Sequence, residues 1–93
     1  MTPLLECIAA AGNTEVPACL TIRKLGFTLS REQRAENAEW WIATNGALSF
    51  VAESPLELLG LMTMRWERGT AWQASDQDIE RFFADFYPET RET

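Results

Sequence analysis

The chain has 93 residues, a length that suits one domain and leaves no room for two. Hydrophobic residues make up 46% of it and the formal net charge is −6, so we expect a folded core rather than a disordered chain. An acidic surface repels phosphate backbones, which argues against direct nucleic-acid binding.

Membrane insertion and export are not expected either. No apolar run approaches the roughly 20 residues that a membrane span needs. The N-terminus has no basic region ahead of its apolar stretch, as a signal peptide would have. We therefore expect a cytoplasmic protein with a single domain over residues 1–93, ordered over 1–88 and frayed over 89–93.

The N-terminal quarter predicts two helices. Thr2 and Pro3 are typical of a helix start, and residues 4–11 keep helical spacing until Gly12. A second helix is predicted over residues 17–25, with a buried stripe that ends at Leu25. A strand within residues 18–25 is the alternative for that segment.

The middle of the chain predicts a three-stranded antiparallel meander. Residues 27–32 alternate between apolar and polar, and residues 33–38 are polar and are interpreted as a connection. Asn45-Gly46 then lies between two alternating runs, the strongest short-range pattern for a hairpin with a two-residue turn. Such a turn places Trp41 opposite Phe50 and Trp40 opposite Val51.

This register predicts two faces of the hairpin. The apolar face is expected to form the core, and its residues are Trp41, Ala43, Leu48 and Phe50. The other face is apolar only at the Trp40 end. Either a helix covers that end and Trp40 belongs to the core, or Trp40, Ile42 and Val51 form an exposed patch that binds a partner.

Two further helices are predicted after the meander. Ser54, Pro55 and Glu57 have the spacing of a capping box, and Gly69 marks the end of that helix at Arg68. Ser75 caps the last helix, which ends before Pro88. Its apolar stripe has the spacing of a core-facing helix, and its members are Ile79, Phe82, Phe83 and Phe86.

The predicted fold class is therefore α+β. A three-stranded antiparallel meander is flanked by N-terminal and C-terminal helices in the order α-α-β-β-β-α-α.

The residue types argue against catalysis. The chain has no histidine, which removes the commonest general base and the commonest metal ligand. Cys7 and Cys19 are predicted to be buried thiols that act as small apolar side chains, with a disulfide between them as the alternative. Helix capping explains the carboxylates at the helix starts. We expect no catalytic residue, no metal and no cofactor.

In composition the chain is similar to bacterial inhibitor and immunity proteins, because it is small, acidic, free of histidine and rich in aromatic residues. The expected function is a non-catalytic protein-binding module, an inhibitor or adaptor, for a basic protein partner. The residues expected to meet the partner are Trp40, Ile42, Val51, Asp78, Glu80 and Asp85. The alternatives are a homodimeric structural subunit, assembled through the Trp40 face or a sheet edge, and a small enzyme.

Overall fold

A computed structural model describes residues 5–10 and 12–90. Three helices and a three-stranded antiparallel sheet confirm the α+β class, but the order is α-β-β-β-α-α. No helix in these two ranges is long and apolar enough to cross a membrane. The elements are α1 Glu15–Lys24, β1 Thr28–Ala35, β2 Ala38–Thr44, β3 Ser49–Ala52, α2 Pro55–Arg68, α3 Asp76–Phe86 and a 3-10 turn at Pro88–Thr90.

The predicted first helix is wrong over residues 5–10, which have no regular secondary structure. Thr2 and Pro3, its predicted start, lie outside the described residues. Leu5 and Ile8 are 91% and 87% exposed. A helix of this length is marginal in water unless one face packs against the rest of the molecule, and here the apolar side chains stay in solvent.

Residues 18–24 belong to helix α1 and none of residues 18–25 is in a strand, which resolves the choice between helix and strand. Ala18 and Ile22 are buried on the face of α1 that meets the core. Leu25, predicted to extend that stripe, is instead exposed beyond the end of the helix.

Strand β1 is longer than predicted. It continues through Ala35. The segment 33–38, interpreted as a connection, therefore forms the closed end of a hairpin between β1 and β2. Ala35 pairs with Ala38, and Asn37 in the turn between them has a φ of 67°. Asn tolerates this left-handed conformation better than most residues, because its short polar side chain bonds locally.

The hairpin between β2 and β3 closes through a loop of residues 45–48 rather than a two-residue turn. Asn45 Oδ1 accepts hydrogen bonds from the backbone N–H groups of Ala47 at 2.9 Å and Leu48 at 2.8 Å. Its side chain thereby shapes the loop, and Ala43 pairs with Phe50 instead of Leu48. The register differs from the prediction by two residues. Because side chains alternate with a period of two, the residues that remain in β2 and β3 keep their predicted faces, whereas Ala47 and Leu48 lie in the loop.

The core lies between one face of the sheet and helices α1 and α2. Leu58 and Met62 of α2 and Ile22 of α1 are fully buried against that face. Phe27, Phe50 and Trp66 close one end of it, with ring centroids 5.9 to 6.3 Å apart. The buried cluster is Ile22, Phe27, Ala43, Phe50, Ala52, Leu58 and Met62.

Helix α3 forms where it is predicted, but it does not dock on this core. Ser75 and Asp78 make the expected capping box. No residue of the helix is buried, and the stripe predicted to face the core is exposed. The Cα radius of gyration is 17.3 Å, against about 12 Å for a compact domain of this length. The predicted docking of the last helix is wrong.

Candidate protein-binding surfaces

The first candidate surface lies on the outer face of the sheet, and its residues are Trp40, Ile42 and Val51. We call it the sheet patch. Ile42 pairs directly with Val51, and Trp40 is two residues away on the same side of β2. Trp40 and Ile42 are half-buried and Val51 is exposed. Helices α1 and α2 pack on the opposite face, so no helix of the described segments covers the sheet patch.

The adjacent tryptophans have different roles because strand alternation sends them to opposite faces. Trp41 lies on the core side, where its Nε1–H donates to Glu39 Oε1 at 2.9 Å. That hydrogen bond, with a second from Arg31, lowers the pKa of Glu39. Trp40 lies on the outer face, with the Arg34 guanidinium 6.0 Å from its ring centroid.

The sheet patch is small and its rim is charged. Arg34, which approaches Trp40, also donates from Nε to Glu32 Oε1 at 2.9 Å. Glu32 is the cross-strand partner of Trp40. An ion pair therefore covers one side of the only aromatic ring in the patch, which reduces the apolar area that a partner would bury there.

The second candidate surface is the aromatic face of α3 and the residue after it. It comprises Ile79, Phe82, Phe83, Phe86 and Tyr87, with exposures of 42% to 68%. The four rings pack on one another: Phe82 lies 5.3 Å from both Phe83 and Phe86 between centroids, and Phe83 lies 5.8 Å from Tyr87. These contacts bind neighbouring turns of one helix together and leave the outer surface of the cluster open.

The predicted acidic residues Asp78, Glu80 and Asp85 are all exposed on α3. Helical spacing places Asp78 and Asp85 along the edge of the aromatic face next to Phe82. Asp76 and Glu80 lie along the other edge, next to Phe83. The aromatic face is therefore bordered by carboxylates on both sides.

Some of the charged side chains of α3 make contacts within the helix or its cap. Arg81 lies on the back of the helix, with its Nε 3.8 Å from Asp85 Oδ2. Asp78 accepts a hydrogen bond from the backbone N–H of Ser75 at 3.1 Å, and this bond lowers the pKa of its carboxyl. Asp78 consequently both borders the aromatic face and holds the first turn of the helix.

The two candidate surfaces are separate. Among the described elements, α3 packs closely only against the 3-10 turn that follows it. The sheet patch and the acidic residues of α3 were predicted as parts of one partner-binding set. The structure places each group on its own surface and does not bring them together.

An open concavity of about 420 Å³ lies where α2 leads into α3. Trp72 is half-buried in its wall, and its carbonyl oxygen accepts a hydrogen bond from Arg68 Nε at 2.8 Å. The titratable residues that line it are Arg68 and Asp78, and both are engaged in hydrogen bonds of the chain itself.

The thiols differ from the prediction. Cys7 is exposed rather than buried, Cys19 is half-buried, and both are free, so the alternative of a disulfide is also wrong. Over residues 5–10 and 12–90, no three side chains of the metal-binding types come close enough together to hold an ion.

No protein-family model matches the chain, and comparisons with curated proteins and with solved structures gave no match either. The candidate surfaces therefore depend on geometry alone. Sequence reasoning missed the aromatic face as a surface because it assigned those residues to the core. The sequence does offer one signal. The apolar stripes of α1 and α2 are enough to cover one face of a three-stranded sheet, so the stripe of α3 is left without a place in the core.

Proposed function

We propose that the chain is a non-catalytic protein-binding module, an inhibitor or adaptor, that acts on a basic protein partner. The observation that carries this proposal is the exposed aromatic face on a helix that packs on no part of the core. Monomeric proteins avoid large exposed apolar patches unless the patch binds something. Aromatic residues are also the side chains that most often dominate binding energy at interfaces.

The total exposed surface supports the same reading. It amounts to 7816 Å², whereas a compact monomer of this mass exposes about 5,400 Å². The exposed stretch 5–10 and the undocked helix α3 contribute to this excess. A partner that covers α3 would remove part of it.

The charge of the chain favours a basic partner. The net charge is −6, and α3 carries four carboxylates against one arginine. Complementary charge raises the rate of association and rejects partners of the same sign. A second copy of the chain would bring the same negative charge to the interface, so the homodimer is the less favourable assembly.

Light scattering combined with affinity capture tests the proposal. We expect the purified chain to remain a monomer of 10.5 kDa up to high micromolar concentration. The tagged chain should retain a basic protein from an extract of the cells that produce it. This protein, once purified, should bind the chain in a one-to-one complex that weakens with salt. A concentration-dependent dimer that binds no other protein would contradict the proposal and favour the homodimeric subunit.

A further inference from the structure

We infer that α3 itself is the recognition element, and that it binds in an apolar groove of the partner with Lys or Arg side chains along both sides of the groove. This inference rests on the proposed function and adds the binding mode and the chemistry of the partner's surface. The sheet patch is then a secondary surface that is not needed for binding.

The anchors of α3 have the spacing of a helix that binds in a groove. Ile79, Phe82, Phe83 and Phe86 occur at i, i+3, i+4 and i+7, which is the pattern that such ligand helices present to their receptors. Ring contacts of Phe82 with Phe83 and with Phe86 hold the three phenylalanine side chains on one side of the helix before any partner arrives. The aromatic face therefore loses little side-chain freedom on binding.

The position of the carboxylates specifies the sides of the groove. Asp78 and Asp85 border the aromatic face on one edge, and Asp76 and Glu80 border it on the other. Arg81 lies at the back, away from the anchors. Cationic side chains on only one side of a groove would meet the carboxylates of one edge alone. A groove with cations on both sides complements all four.

A membrane surface is a poorer match for the same helix. Helices that lie on membranes carry Lys and Arg on their polar face, because the lipid headgroups are often anionic. The polar face of α3 carries four carboxylates and one arginine. Anionic lipids would repel it, so a protein groove is the occupant that we infer.

Helix α3 is also capped without help from the core. Ser75 Oγ accepts from the Asp78 N–H at 3.1 Å, and Asp78 Oδ2 accepts from the Ser75 N–H at 3.1 Å. Gly69, with a φ of 78°, ends α2 and starts the connection that leads to α3. The helix is therefore presented on a short connection with its start already fixed.

Photo-crosslinking from the full-length chain tests which surface binds. p-Benzoylphenylalanine is introduced in turn at Phe83 on the aromatic face, at Ala84 towards the back of α3 and at Trp40 in the sheet patch. We expect the Phe83 variant to crosslink to a segment of the basic partner that is flanked by Lys or Arg. The Ala84 and Trp40 variants should give less than about a tenth of that yield. Circular dichroism checks that each variant is folded.

The outcomes separate the inference from the proposed function. A crosslink to a basic protein from Trp40 but not from Phe83 overturns the recognition role of α3 and leaves the protein-binding function in place. A crosslink from Phe83 only to a second copy overturns both. If the captured basic protein forms a one-to-one complex but crosslinks at none of the three positions, the recognition role of α3 is overturned and the protein-binding function remains. Sedimentation with phosphatidylserine vesicles tests the membrane as an alternative binding surface. The chain should stay in the supernatant, and binding to the vesicles through α3 would contradict the inference that α3 binds in a protein groove.

Charge reversal tests whether both sides of the groove are basic. Asp85→Lys changes one edge of the aromatic face, and Glu80→Lys changes the other. Each variant should slow association with the purified partner by roughly tenfold at low salt, and the difference should shrink at high salt. Glu36→Lys, in the exposed turn between β1 and β2, is the matched control and should change the rate much less. If only one of the two edges matters, the groove with cations on both sides is wrong.

Discussion

Glu15 Oε1 accepts a hydrogen bond from the backbone N–H of Leu56 at 3.0 Å, across 41 positions of the sequence. Leu56 is in the first turn of α2, where backbone N–H groups have no partner within the helix. The first residue of α1 thus supplies an acceptor for the start of α2. Phe27, just after α1, packs on Trp66 near the end of α2, so the two helices run parallel across the sheet.

Replacing Glu15 with alanine should lower the free energy of unfolding by about 0.5–1 kcal/mol. The change removes both the acceptor for the Leu56 N–H and a negative charge at the positive end of the α2 dipole. Urea denaturation measures the loss. Glu15→Gln keeps an acceptor without the charge and should lose less, while Glu36→Ala in the exposed β-turn should change stability little. Equal effects of Glu15→Ala and Glu36→Ala would show that the Leu56 contact contributes nothing.

The aromatic face and the core should respond very differently to truncation. Leu58→Ala removes a fully buried side chain and should cost about 2–5 kcal/mol. Phe82→Ala and Phe83→Ala should each lower the free energy of unfolding by less than about 1 kcal/mol, because both rings are about half exposed. Within the part of the chain that the structure describes, their ring contacts are with each other, with Phe86 and with Tyr87. Thermal and urea unfolding measure all three variants. A loss above about 3 kcal/mol at either phenylalanine would mean that α3 is docked on the core in solution.

This contrast shows what the amino-acid sequence determines locally. The helix starts at Ser54 and Ser75 and the helix end at Gly69 were predicted correctly, because a cap depends on residues within one turn of each other. The apolar side of α3 was predicted for the same reason, since helical spacing alone places its phenylalanines together. Spacing does not specify what covers that side, and the docking prediction for α3 failed on this point.

The sheet shows a second limit. Asn45-Gly46 was interpreted as a complete turn, but Asn45 bonds to the N–H groups of Ala47 and Leu48 and so draws both into the loop. Whether the hairpin closes with a two-residue turn or with this four-residue loop depends on the hydrogen bonds of the Asn45 side chain, and the Asn-Gly pattern alone does not predict which of the two forms. The faces of Trp40 and Trp41 were nevertheless correct, because the error in register was an even number of residues.

The start of α3 should lose stability in acid. The hydrogen bond from the Ser75 N–H lowers the pKa of Asp78 below its ordinary value. The ionised carboxylate therefore stabilises the helix at pH values above that ordinary pKa, which is about 4, and this contribution is lost as the pH falls through the lowered pKa. NMR titration of the Asp78 carboxyl carbon measures the pKa directly. Ser75→Ala removes the hydroxyl from the capping box and should raise the Asp78 pKa and reduce the helicity of α3; an unchanged pKa would contradict the role of the cap.

Hydrogen exchange should separate α3 from the rest of the chain before any partner is added. An 11-residue helix that packs on no core is marginal in water, even with a good cap. Its amides should exchange within about a hundredfold of the unprotected rate, whereas the amides around Leu58 and Met62 in α2 should exchange only when the whole domain unfolds. Mass spectrometry of peptides from both helices measures this difference. The partner should then slow exchange in α3 far more than in β2, since binding covers the aromatic face and leaves the sheet patch open. Equal protection of α2 and α3 in the free chain would mean that the aromatic face is already covered, and a helix covered in this way could not serve as the recognition element.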